Sequence, residues 1–354
     1  MNPIIELFRA IGAWMVLNTH FSRFLCQDKC ILNFFWTGVY LFFVISGFVF
    51  APTILSKNTH LTSFAVKRFF RIYPLYLFSL ILYYFVVQYD PRELLFFIKH
   101  LFFLQTTTSK AEAFYFNPAY WSLPPEVEFY ISIPLLGLLR KKYGVKSLLF
   151  LLPVTLGLKF LLALGAKGSS SFNMYKILGF HLPGMAPEFA VGILLYPLYE
   201  HFSKKNIGLL STLLPLVAGV SLLTALGIFF VTYGDDGIES HLVLKAFFST
   251  FCAIGFALVL FSLLVIFHGK KIACSSFFIA IGSISYGVYL FHNFFLLLFD
   301  KTGLALSGVS AYLILSISVG IFSFISFKLI ENPLRSFGKK LAGHLTSTDP
   351  ANIS

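Results

Sequence analysis

Apolar residues in this chain fall into long runs separated by short polar gaps, and the runs have the length of membrane helices. A helix needs about 20 mostly apolar residues to cross a hydrocarbon core of about 30 Å. Ten stretches meet that length, at roughly 4–25, 35–55, 72–89, 121–139, 147–164, 177–199, 207–232, 243–267, 275–299 and 309–330. The pattern predicts an all-α, polytopic transmembrane helical bundle. The first stretch starts at about Pro3 without a basic leader or a small-residue cleavage site. It is expected to be a retained span rather than a signal.

A further apolar segment, Leu94 to Leu104, is too short to cross at about 1.5 Å per residue. If it lies on the outer interface, the basic residues sort to one side. Loops assigned inside then hold Lys57 with Lys67, Arg68 and Arg71; Arg140 to Lys146; Lys204 and Lys205; Lys270 and Lys271; and Arg335 to Lys340. A loop assigned outside holds Asp235, Asp236 and Glu239. Excess Lys and Arg marks cytoplasmic loops, so ten spans with both termini cytoplasmic are expected. One transmembrane domain over 1–338 is expected, followed by a short polar tail at 339–354. No repeat at a fixed period supports an inverted-repeat transporter.

Composition strengthens this picture. Of 354 residues, 57% are hydrophobic and only 12% charged, with mean hydropathy +0.82. A soluble domain carries about 25% charged residues, so lipid is expected to cover much of this surface. The net charge of +12 would suit nucleic acid, but the longest basic run is Arg140-Lys141-Lys142, and no nucleic-acid partner is expected. Four cysteines make neither a disulfide framework nor a metal set. Cys26 and Cys30 are close enough to pair on an oxidising face, while Cys252 and Cys274 read as buried small apolar residues.

Ionisable groups inside membrane spans are expensive and usually face an interior cavity. Here they are Arg9, His20, Glu126, Glu128, Lys159, His181, Glu188 and His292. Arg9 and His20 are eleven residues apart, about three helical turns, which puts them on one face roughly 16 Å apart along the axis. Each also has an ordinary reading, as a snorkelling arginine and a hydrogen-bonded core histidine. Arg68 and Arg71 are neighbours on a helix surface. Their guanidinium forks suit phosphate, either of a ligand or of lipid. Glu126 and Glu128 open a span behind Pro124 and Pro125, and at a spacing of two they point in different directions. None of these shows metal-ligand spacing. The Ser46-Gly47 notch is explained by helix packing, which leaves Ser46 a weak nucleophile candidate. Ser283, Ser285 and Tyr286 have the same standing.

Taken in order, these elements resemble the acyltransferase 3 family of bacterial integral-membrane O-acyltransferases. The resemblance rests on Arg9 and His20; Gly38 through Ser46-Gly47-Phe48; Arg68, Arg71, Tyr73 and Pro74; and Trp121-Ser-Leu-Pro-Pro-Glu126 with Phe129-Tyr130. It continues with Pro187-Glu188-Phe189 and Gly192, Ser285-Tyr286 through His292, and Glu331-Asn-Pro333-Leu-Arg335. The family element singles out Glu126 over Glu128. One departure is the stretch His181 to Pro187, which lacks the arginine that many members carry there. Many members also carry a C-terminal hydrolase-like domain; this chain looks like the stand-alone form.

The resemblance implies an acyl-CoA donor, commonly acetyl-CoA, a glycan or lipid-linked sugar acceptor, no metal, and a multi-pass location in the bacterial inner membrane. The chemistry needs a base for the acceptor hydroxyl, and a histidine is suited to it. His20 is expected to be that base and Glu126 to orient it, as a carboxylate orients imidazole in hydrolase triads. Arg9, Arg68 and Arg71 are expected to hold the CoA phosphates from the cytoplasmic side. A carrier that flips a lipid-linked sugar would use the same arginines without chemistry. The expected topology has a direct check. Single cysteines in a cysteine-free background should label with an impermeant thiol reagent in intact cells at 236, and only after lysis at 141 and near the C-terminus.

Overall fold

The computed structural model describes residues 2–26, 30–56, 60–87, 90–167, 173–205 and 208–347. Lys57 and residues 348–354 lie outside them. The fold is all helical, with no strand among the described residues. The helices are α1 (Pro3–Phe21), α2 (Gly38–Leu55), α3 (Leu61–Val87) and the short α4 (Glu93–Leu101). Then come α5 (Leu123–Tyr143), α6 (Leu151–Gly165), α7 (Leu182–Ser203) and α8 (Leu209–Ser240). The last four are α9 (Leu242–Ile266), α10 (Ser275–Thr302), α11 (Gly308–Ser326) and α12 (Asn332–Ser347).

Among the described residues, eight helices are long and apolar enough to cross a membrane by length and composition. The last of these runs from Gly308 to Leu345, through α11, a single π-helical turn at Phe327–Glu331, and α12. The long helices outside this set are α1 and α5. Their polar residues lower their hydropathy, and these same residues, Arg9 and His20 in α1 and Glu126 and Glu128 in α5, make them candidates for function.

Local sequence explains several boundaries. Asn2 caps α1 by accepting from the Ile4 N–H at 2.9 Å, with Pro3 in the first turn, where its missing N–H costs nothing. α10 stops at Gly303, whose positive φ of 62° suits a residue without Cβ. α3 starts at Leu61 rather than near 72, so Arg68 and Arg71 lie within the helix, not at its mouth. α4 has nine residues, about 13 Å, and cannot cross. It leaves Leu94, Leu95 and Ile98 exposed while Tyr84 of α3 packs on Phe97. The chain beyond Lys340 stays helical to Ser347, with Ala342 fully buried, so the expected polar tail starts as an ordered helix. Cys26 and Cys30 form a disulfide. Cys252 is buried as expected, but Cys274 is exposed.

The bundle closes around α2, which is apolar on nearly every side, as a helix surrounded by protein should be. Its Gly47 meets Gly192 of α7 so closely that a Cβ on Gly47 would strike the Phe189 carbonyl, with the Gly192 Cα at 3.0 Å. Gly12 of α1 and Gly38 of α2 make a second close crossing. Small residues let helix backbones approach in this way.

Part of the segment from Phe102 to Ser122 is also buried inside the bundle, although Phe102 and Leu104 are exposed. Gln105, Thr106, Asn117 and Tyr120 have no exposed surface. Irregular backbone buried in this way needs protein partners for its polar groups. Asn117 donates to the Leu290 carbonyl of α10 at 3.0 Å and accepts from Asn293 at 2.8 Å, and Gln105 donates to the Tyr120 carbonyl at 3.1 Å.

At Gly192, a Cβ would lie 2.9 Å from the Phe48 nitrogen and against the Val44 carbonyl, all backbone that cannot swing aside. Gly192→Ala should therefore destabilise the protein by about 1–3 kcal/mol. Gly137→Ala, where nothing lies within 4 Å, should change little. Thermal unfolding in detergent compares the two.

Candidate active site

Most charged side chains inside the bundle are paired. Arg9 binds Glu6 at 2.7 Å, one turn earlier on α1. Arg71 of α3 binds Glu331, which is 1% exposed and also has Arg335 at 3.7 Å. Glu331 lies in the π-helical turn between α11 and α12. Lys159 of α6 binds Glu188 of α7 at 2.5 Å, closed off by Ser249 at 2.6 Å and Thr250 at 2.9 Å, both of α9. His181 binds Glu128 and shares a hydrogen bond with the Thr106 hydroxyl at 2.9 Å. Glu128 also accepts from the Leu182 N–H at 2.7 Å and so caps α7. The stretch without the family's arginine therefore carries a histidine–carboxylate pair that ties α5, α7 and the buried segment together.

Arg68 differs from these. Its guanidinium lies 4.8 Å above the Phe50 ring and 5.8 Å from that of Phe64. Its Nε is buried without a hydrogen-bond partner, and no carboxylate pairs with it among the described residues. Cation–π contact lowers the cost of such a charge but does not neutralise it.

Arg9, Arg68 and Arg71 line one cavity of about 90 Å³ together with Ser46, Glu126 and Tyr286. Two helices, α1 and α3, therefore bring the three expected donor-binding arginines together, and α2, α5 and α10 complete the wall. Glu126 is in the same wall, but not beside His20. Its hydrogen bonds run to the Tyr130 hydroxyl on its own helix and to Ser46 of α2 at 3.3 Å. The expected Glu126–His20 pair is thus replaced by a Glu126–Tyr130–Ser46 cluster at the arginine end. The reason is the start of α5: the buried segment carries Leu123 into the bundle, so the first turn of α5 faces α2 and α3.

His20, at the far end of α1, has another histidine beside it. The ring of His292 of α10 lies 5.0 Å away, centroid to centroid. His292 is fully buried, and its Nδ1 faces the Val288 carbonyl at 3.1 Å. Tyr289 links this pair to the arginine cavity. Its ring is 6.2 Å from that of His292, it lines the cavity, and its hydroxyl is held by Ser122 at 2.6 Å and the Ala119 carbonyl at 2.7 Å. The sequence marked His292 as an intramembrane ionisable group within a late motif, but spacing alone could not place it against a residue 272 positions earlier. Among the described residues no cluster of potential metal ligands occurs.

The bundle thus holds a buried pair of histidines joined through Tyr289 to an arginine-lined cavity. Residues 2–337 match the acyltransferase domain family, and the chain belongs to it. The chain is also 28% identical over 307 residues to the Acidianus two-tailed virus protein named "Putative acetyltransferase ORF330", covering 82% of each. No solved structure shows a significant match to the chain. The protein is a multi-pass membrane acyltransferase, and the carrier reading has no such support.

The Arg71–Glu331 pair gives a prediction about stability. Removing one partner of a buried pair strands the other, which typically costs about 3–5 kcal/mol. Glu331→Gln should lower thermal stability on that scale. The double variant Arg71→Met/Glu331→Leu should recover most of the loss in detergent-based unfolding.

Proposed function

We propose that the protein transfers an acyl group, in the simplest case acetyl, from cytoplasmic acyl-CoA to a hydroxyl of a cell-surface or lipid-linked glycan, with His20 as general base. The observation that carries this reading is the spacing of the two halves of the site. Arg9 and His20 stand about 16 Å apart along α1. The pantetheine arm of CoA has about thirteen bonds from phosphorus to sulfur, and at the ~1.2 Å per bond of an extended chain it spans about 15 Å. Pyrophosphate at the arginines would put the thioester at His20.

In this arrangement Arg68 is the main anchor, since Arg9 and Arg71 already have carboxylate partners. Glu126 belongs to the donor end, where it offsets part of the positive charge around the phosphates. The acceptor hydroxyl attacks the thioester carbonyl while His20 takes its proton. Collapse of the tetrahedral intermediate breaks the C–S bond, and the imidazolium returns the proton to the departing thiolate. The reaction yields an ester and free CoA, with no redox change.

Orientation follows from the donor. Acyl-CoA is cytoplasmic, so the arginine end faces inside and His20 faces the outer half. α1 and α5 then cross as well, giving ten spans with both termini cytoplasmic, in a bacterial inner membrane. The Cys26–Cys30 disulfide, six residues beyond His20, supports an oxidising compartment on that side.

Transfer from labelled acetyl-CoA by the purified protein tests the assignment. His20→Ala should insert and fold but lose about 10²–10⁴-fold in kcat. Arg68→Ala should raise KM for acetyl-CoA with little change in kcat, as loss of uniform binding does. Arg68→Lys should rescue only in part, because an ammonium lacks the fork. If His20→Ala keeps more than half its activity, His20 is not the base. Analysis of surface glycans for lost ester groups in a strain lacking the gene would identify the acceptor.

A further inference from the structure

We propose that His292 is the positioning residue for His20, the role that a carboxylate fills in hydrolase triads; this rests on His20 being the general base. Three observations support it. His292 is fully buried in α10, its ring lies 5.0 Å from that of His20, and its Nε2 is a buried nitrogen without a hydrogen-bond partner.

The tautomer follows from the local helix. His292 Nδ1 faces the carbonyl of Val288, one turn back, at 3.1 Å, so Nδ1 carries the hydrogen and donates it. In a neutral imidazole the other nitrogen is then an acceptor. Nε2 therefore presents a lone pair away from its own helix. A buried acceptor with no donor is costly, and each such orphan calls for a physical explanation.

The donor it lacks is the N–H of His20. With ring centroids 5.0 Å apart, turning two imidazole nitrogens toward each other brings them to hydrogen-bond distance. When His20 takes the acceptor's proton on one nitrogen, its other nitrogen bears a hydrogen that Nε2 of His292 accepts. The imidazolium is then stabilised where it forms, and His20 is held with its lone pair toward the hydroxyl. The proton stays on His20 until the thiolate takes it back. His292 gains and loses no proton.

A neutral partner also fits the surroundings better than an ionised one. α10 at this level contributes Tyr289 and Asn293, and the buried segment contributes Asn117, which Asn293 binds at 2.8 Å. These groups are polar but uncharged, so a neutral acceptor leaves no counter-ion to supply when His20 is neutral.

The test is a double-mutant cycle on the intact protein. His292→Phe keeps a planar ring, slightly larger than imidazole, and removes the acceptor. It should lower kcat about tenfold or more, with KM for acetyl-CoA unchanged. His292→Gln, which keeps an acceptor oxygen, should restore part of that loss. In a His20→Ala background, His292→Phe should change the residual rate by less than about twofold, because a residue that acts through His20 has nothing left to position. Equal losses in both backgrounds, or full kcat in His292→Phe, would overturn the proposal. Should His292→Phe fail to fold, NMR of histidine-labelled wild-type protein still decides: the Nδ1-protonated tautomer of His292 is expected, and the Nε2-protonated one refutes it. An active His20→Ala would instead remove the general base itself, a separate failure.

Discussion

A charge placed in hydrocarbon costs several kcal/mol unless a counter-charge or a wet cavity lies beside it, and the bundle is arranged around that constraint. Glu6 meets Arg9, Glu331 meets Arg71, Glu188 meets Lys159 and Glu128 meets His181. Three of these four pairs join different helices, so each also fixes the rotation and depth of one helix against another. Breaking a buried pair costs more than making it gains. The pairs therefore specify the arrangement more than they stabilise it.

Against that background, the groups left without partners stand out. Arg68 rests on aromatic faces rather than on a carboxylate, and the Nε2 of His292 has no donor. The first is at the arginine cavity and the second is beside His20. A phosphate would complete the one, and a protonated base the other. Other buried atoms without a hydrogen-bond partner, among them the Nε2 of His100 and the Oε2 of Glu188, lie elsewhere in the bundle. Between the arginine cavity and His20, Tyr289 is held by Ser122 and the Ala119 carbonyl, which stiffens the wall shared by both.

The arrangement also shows why the residues that weaken α1 and α5 as membrane spans are retained. An apolar α1 would insert more readily, but it could not carry the arginine and the histidine at opposite ends of one rigid rod. Putting both on one helix fixes their separation by the helical rise rather than by loop geometry. The close glycine contacts between α1, α2 and α7 then press that rod against the rest of the site.

Much of this was legible in the sequence. Long apolar runs fix helices in lipid, because every backbone N–H and C=O must be satisfied within the segment. The eleven-residue spacing of Arg9 and His20 fixes their common face, and the ordered motifs point to the family. The short apolar segment at Leu94 could be read as too short to cross from its length alone. Partnership was a different matter. Glu126 was expected beside His20, yet it binds Tyr130 and Ser46, while His292, far along the chain, stands where it was expected to be. Helical periodicity tells which face of a helix a residue occupies, but not which neighbour that face meets. That depends on the depth at which each helix starts and its rotation in the bundle. Here both were decided by the partly buried 102–122 segment and by backbone crossings at Gly47 and Gly192, contacts between positions that no local pattern links.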